Sequence, residues 1–146
     1  MQTLPLAIIG SGPAGYTAGL YAARAKLEPT IFTGWEIGGQ LMYTSEIENF
    51  PGVEAGVVGP KLMMAMQNQA AKFGSQIVAK YVAAVDFSRR PFRLWTTLPA
   101  DISPQQLKEA KAEELLQLQA KIRQQEADYS AAAVIITTGA SAVMLD

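Results

Sequence analysis

Residues 10–15 read GSGPAG, and they follow directly on the apolar run Leu6-Ala7-Ile8-Ile9. Glycines at Gly10, Gly12 and Gly15 either make a tight turn or hold the phosphates of a nucleotide, and the flanking sequence decides between the two. Residues 6–9 are apolar throughout, as in a strand covered on both faces. Residues 14–27 form a helix rich in alanine (Ala18, Ala22, Ala23, Ala25), whose small side chains pack closely on a sheet. Pro29 ends that helix. Residues 30–33 are β-branched and aromatic, the composition of a second strand. Together these make a βαβ unit of about 30 residues.

In a βαβ unit each glycine has its own task. Gly10 permits the tight turn out of the strand, Gly12 lets a pyrophosphate approach the backbone, and Gly15 lets the helix lie against the strand. Ser11, Pro13 and Ala14 complete the loop, and the helix that follows aims free N–H groups and its dipole at the phosphates. In this setting the nucleotide reading prevails over the plain turn. Such units carry an acidic residue for a ribose hydroxyl at the end of the second strand. Thr33 occupies that place here. Glu36, three residues on, either substitutes for it or is a solvated loop carboxylate.

The 146 residues form one domain with a real core, 49% hydrophobic and 17% charged. A net charge of −1 gives no global field to attract nucleic acid or anionic lipid. No apolar run approaches the ~20 residues of a membrane helix. No basic segment precedes the first apolar stretch, so the expected location is cytoplasmic. The chain contains no cysteine and no histidine. It therefore holds no thiolate nucleophile, no zinc–thiolate site and none of the commonest neutral-pH base. No catalytic or metal-ligating residue is assigned.

Farther along, residues 34–59 are a long irregular stretch, of the kind that is usually functional. Pro60 opens a helix with Leu62, Met66, Ala70 and Phe73 at helical spacing, closed by Gly74. The Met63, Met64 and Met66 cluster reads as core filler, as do Trp35 and Trp95. Residues 77–85 form a strand region. Arg89-Arg90-Pro91 turns the chain in solvent, and residues 92–97 return antiparallel to it. Residues 103–128 are strong helix formers, with Ser103 and Gln106 in a capping-box pattern. Leu107, Leu115, Leu118 and Ile122 make a narrow stripe about 80° wide, which reads as an exposed, appended helix that packs lightly or seats a partner. Residues 131–136 add a last apolar strand, parallel to the first.

Five blocks occur in order: IIGSGPAGYTAGLYAARAKLEP, GGQLMYTSEIENFPG, GPKLMMAMQNQAAKFG, SRRPFRL and VIITTGASA. Together they resemble the N-terminal FAD-binding segment of the low-molecular-weight thioredoxin reductases, within the pyridine nucleotide-disulfide oxidoreductase family. The resemblance runs from Leu6 to Ala142 and skips residues 103–128. It implies a Rossmann-like, doubly wound α/β domain spanning residues 1–146 as a partial unit, with residues 98–130 an inserted helical segment. The central parallel sheet would carry helices on one side and an antiparallel layer on the other. It also implies FAD as the cofactor. The pyrophosphate lies on the loop from Gly10 to Gly15, Gly39, Gln40 and Leu41 run along the FAD, and Asn49 meets the isoalloxazine. Val82, Thr138, Gly139 and Ala140 sit on the adenine side. Gln40 and Asn49 are neutral amides, suited to a redox ring because they add no charge.

In the complete family electrons pass from NADPH through FAD to a disulfide, thioredoxin is the partner, and the protein is a homodimer. The redox cysteine pair belongs to a separate NADPH domain outside the matched blocks. Three readings follow: the FAD-binding portion of such a reductase, a non-catalytic nucleotide-binding or interaction module on the same scaffold, or a related cysteine-free flavoprotein reductase.

Overall fold

The computed structural model describes residues 1–53 and 56–140; Ser141 and Ala142, the end of the last matched block, lie outside them. The fold is α/β, built on a six-stranded sheet of order β3-β2-β1-β6-β5-β4. Strand β1 (Gln2–Ile9) starts four residues earlier than its apolar run indicated, and Leu6, Ala7 and Ile8 are buried. It lies at the middle of the sheet, parallel to β2 (Pro29–Phe32) on one side and β6 (Tyr129–Ile136) on the other. All four β2 residues are buried, Pro29 included. The proline therefore begins the strand as well as excluding the helix.

Helix α1 (Pro13–Arg24) joins β1 to β2, and α2 (Gly59–Lys72) follows the long loop. Leu6 and Ile8, Ile31, and Tyr16 and Ala22 form one buried cluster with Ala70 of α2. The helices thus cover one face of the parallel strands. Met63 is buried in a neighbouring cluster with Leu62 and Ile47, whereas Met64 is exposed. Among the described residues no helix is long and apolar enough to cross a membrane.

The stretch expected as one strand at 77–85 is two strands on opposite sides of the sheet. β3 (Gln76–Val78) pairs parallel with β2, and β4 (Ala84–Asp86) pairs antiparallel with β5 (Phe92–Trp95). Between them the chain passes the end of β2, where Thr33 and Gly34 donate their N–H groups to the carbonyls of Val78 and Lys80. The apolar composition of residues 77–85 hid this crossing. The antiparallel layer expected on the far face is the far edge of the same sheet, because β5 pairs with β6. Its Leu94 and Val85 still pack with Ala7 and Phe32 on the face away from the helices.

The helix expected over 103–128 is also two: α3 (Pro104–Glu109), with Ser103 and Gln106 in a reciprocal capping box, and α4 (Ala112–Ile122). Ala110 and Lys111 adopt extended backbone between them, although both are good helix formers. Packing overrides propensity here. A straight 26-residue helix would be about 39 Å long and could lay only part of its stripe on the sheet edge. Folded in two, the segment sets Leu107 and Ile122 around Trp95, Ala83 and Ala84, with Leu115 and Leu118 against the same core. Ile122 is 0% exposed and Leu107 4%. The segment is a built-in part of the core, not an exposed appendage.

Two features lock it in place. The Trp95 indole N–H donates to the carbonyl of Gln125 at 3.0 Å. The Asp128 carboxylate accepts four hydrogen bonds, from the backbone and hydroxyls of Thr96 and Thr97, at 2.7–3.2 Å. Partial burial would raise its pKa, but those four bonds outweigh it and hold the carboxyl below its ordinary 3.8. A depressed folded value means that the contribution is present above pH 3.8 and is lost as pH falls through the lower folded value.

Ile122→Ala is expected to cost about 3 kcal/mol by urea unfolding, the scale of a large-to-small change in a closed core. Asp128→Asn is expected to cost about 1 kcal/mol near neutral pH, given its partial exposure. In a pH series that gap closes on acidification, and a gap independent of pH would show that the carboxylate charge plays no part.

Candidate functional site

The carboxyl ends of β1, β2 and β6 stand side by side, and a cleft of about 720 Å³ opens beyond them. This is the crevice where open α/β sheets bind ligands. The glycine loop forms its floor. The Gly10 N–H donates to the carbonyl of Phe32 at 2.9 Å, and the Thr137 N–H to that of Ile9 at 2.8 Å. Gly10 has φ +116°, and a Cβ built on it would fall on the Thr137 carbonyl. A Cβ on Gly15 would fall on the Gly10 carbonyl. Both glycines are thus required by the chain itself.

Gly12 differs. It caps α1 with φ −73° and ψ −173°, a conformation open to any residue, and a Cβ there would meet nothing within 4 Å. Pro13 at the first helical position lacks an N–H, so the free donors of the first turn are those of Ala14 and Gly15, while Tyr16 already bonds the Gly12 carbonyl. Gly12 borders the cleft, and its bare backbone opens onto that space.

Ser11 organises the walls. Its buried hydroxyl donates to the carbonyl of Thr33 at 2.8 Å and accepts from the N–H of Gly38 at 3.1 Å. That ties the glycine loop to the end of β2 and to the Gly38-Gly39 turn. Tyr16 is buried behind it, and burial raises its phenol pKa, with the nearby Ser11 hydroxyl pulling the other way. Since Ser11 spends its hydrogen bonds on Thr33 and Gly38, Tyr16 Oη has no hydrogen-bond partner among the described residues. Across the cleft, Gln40 Nε2 donates to the carbonyl of Ala140 at 2.6 Å.

Of the residues singled out from the sequence, Gly10, Ser11, Gly12, Pro13, Ala14, Thr33 and Glu36 line the cleft. So do Gly39, Gln40, Leu41, Val82, Thr138, Gly139 and Ala140. Gly15 lies behind the floor, against Gly10. Asn49 is exposed on the 44–53 loop and does not border the cleft.

The sequence reading missed Ile9, Gly34, Trp35, Tyr81 and Thr137, which complete the lining. Trp35, expected as core, is 39% exposed and stacks on Tyr81 with ring centroids 3.7 Å apart and planes 11° from parallel. Burial raises the Tyr81 phenol pKa. Adjacency to Glu36 was the one available signal for Trp35; Tyr81 is brought in only by the crossing after β3. Among the described residues the lining includes one charged side chain, Glu36, and neither lysine nor arginine. A phosphate here would be met by backbone N–H groups and the α1 dipole.

Known proteins share this sequence pattern and fold. The sequence pattern of the pyridine nucleotide-disulphide oxidoreductases matches residues 4–146. A thioredoxin reductase of Chlamydia pneumoniae is 44% identical over 144 residues, covering 97% of this chain and 37% of its own. One from Chlamydia trachomatis is 58% identical over 97 residues, covering 64% of this chain and 31% of its own. The solved thioredoxin reductase from Giardia duodenalis superposes with a TM-score of 0.73 at 36% identity, covering 100% of this chain and 38% of that one. The chain thus spans under two fifths of the length of each of these three.

The two kinds of glycine separate experimentally. Gly10→Ala is expected to lower the urea midpoint strongly, by about 2–3 kcal/mol of stability or more, because it forces both a clash and a disfavoured backbone. Gly12→Ala should unfold within about 0.5 kcal/mol of the parent.

Proposed function

The chain belongs to the pyridine nucleotide-disulphide oxidoreductase family, and on that premise we propose that its cleft is an FAD site. The observation that carries this reading is Gly12, a glycine that neither the backbone nor the packing requires, at the N-terminus of α1 where a pyrophosphate would approach. Ser11, Ala14 and the first-turn N–H groups would hold the pyrophosphate. Thr33 and Glu36 would face the ribose, Val82 and residues 138–140 the adenine side, and Gly39, Gln40 and Leu41 would run along the cofactor. Asn49, which stands outside the cleft walls, is not in this set.

Bound there, FAD supplies two-electron redox chemistry. This chain's own residues would bind and orient it: Ser11 fixes the loop against β2, Gln40 donates to the Ala140 carbonyl, and a lining with no lysine or arginine among the described residues leaves phosphate recognition to the backbone. We read residues 1–146 as a partial FAD-binding domain and residues 98–130 as a helical segment inserted into it. The complete protein would pass electrons from NADPH through FAD to the disulfide of thioredoxin. That reading is supported by the thioredoxin reductases it resembles. A homodimer rests on the resemblance, and a cytoplasmic location on the composition of the sequence.

Thioredoxin reduction needs a thiolate pair to pass electrons to a disulfide, and this chain has no cysteine. The 146 residues alone, mixed with FAD, NADPH, thioredoxin and a chromogenic disulfide, are therefore expected to give no turnover above a flavin-only control. Sustained turnover would overturn the assignment. Flavin binding itself is tested by equilibrium titration, read by flavin absorbance and fluorescence. Gly12→Val is expected to abolish it while leaving the far-UV circular dichroism unchanged, and equal affinity in that variant would remove the pyrophosphate from the loop.

A further inference from the structure

The helical segment between β5 and β6 touches the cleft by two independent routes. Lys108 Nζ, on α3, lies 3.5 Å from Glu36 Oε1, and Glu36 is the one charged side chain in the lining among the described residues. Tyr81 packs against the buried core that contains Leu107 and Ile122. Its ring stacks on Trp35, and both rings line the cleft. Trp35 and Glu36 are adjacent, so both routes end on the same few residues beyond β2.

We propose that this segment is a working part of the nucleotide site, with Lys108 as a positioning residue for the ribose end of an adenosine diphosphate moiety. The proposal rests on the nucleotide reading of the cleft. A carboxylate has two acceptor oxygens. Lys108 engages one and turns the other toward a ribose hydroxyl, the role that an acidic residue plays beyond the second strand of a βαβ unit. It also neutralises a charge that would otherwise repel the phosphates, so orientation and electrostatics act in the same direction. The core of the segment backs Tyr81, and through it holds Trp35 as a flat wall beside Glu36. A segment that lies outside the five sequence blocks thereby sets the shape and charge of the site's adenosine end.

The test is calorimetric titration of the 146-residue chain with ADP. Lys108→Ala is expected to weaken ADP binding about threefold, the upper scale of a partly exposed ion pair, and Lys108→Glu to weaken it further. In a Glu36→Gln background the Lys108→Ala change should have no effect, and thermal melts of all these variants should match the parent. A Lys108→Ala affinity equal to the parent's, or the same loss with and without Glu36, would overturn the positioning role. Failure of the parent to bind ADP, or undiminished binding by Gly12→Val, would instead overturn the nucleotide reading and the proposal with it.

Discussion

The upper end of the sheet depends on one close approach, the backbone of Gly10 against Thr137. The loop can leave β1 at that point only because Gly10 carries no side chain and tolerates a positive φ. Thr137 holds the other side: its N–H and its hydroxyl both donate to the Ile9 carbonyl, at 2.8 and 2.9 Å. Gly15 then rests on the Gly10 carbonyl. With these contacts in place α1 begins with its N-terminus in the crevice, and β1, β2 and β6 end at one level. A side chain at either glycine would push α1 off the sheet and close the space that the fold leaves open.

The sheet carries a different cover on each half. Helices α1 and α2 protect the parallel strands, while the antiparallel edge is buried by α3 and α4. The halves are joined by Phe32 and Tyr129, edge to face with centroids 4.9 Å apart, and by Leu94 in the same cluster. Asp128 tightens the join, because it bonds the strand end at Thr96 and Thr97 immediately before β6 begins. Removing the α3–α4 segment would expose Trp95, Ala83 and Ala84, so the expectation of an exposed, lightly packed appendage does not survive its packing.

The βαβ unit was legible because its signals are local: an apolar run, glycines at fixed offsets, a proline that excludes helix. The last strand was legible for the same reason. Helices α3 and α4 were readable as helical but not as two, because nothing in Ala110-Lys111 breaks a helix and only the shared core around Trp95 makes the break favourable. The crossing at 79–83 hid inside an apolar stretch that scores as a strand, and with it went Tyr81. Trp35 was misplaced because an aromatic beside a glycine reads equally as core or as wall, and the stack that settles it comes from a residue 46 positions away. At the floor of the cleft, by contrast, the glycine spacing is a local signal, and most residues singled out from it line the cavity.

The charge distribution explains why that floor must be so exact in shape. A dinucleotide's pyrophosphate is anionic, yet among the described residues the lining offers no lysine or arginine, and its one charged group there, Glu36, has the same sign as such a ligand. What remains is the α1 N-terminus, worth about half a positive charge and effective only within the first helical turn. A field that short-ranged acts only on a phosphate seated directly on the N–H groups, and the bare backbone at Gly12 leaves that approach open. Attraction at a distance is replaced by fit at contact. Neutralising Glu36 from outside the cleft then has a clear physical use: a cation inside would bind phosphates indiscriminately, whereas Lys108, held on α3 and paired to the carboxylate, removes the repulsion and leaves selection to the backbone.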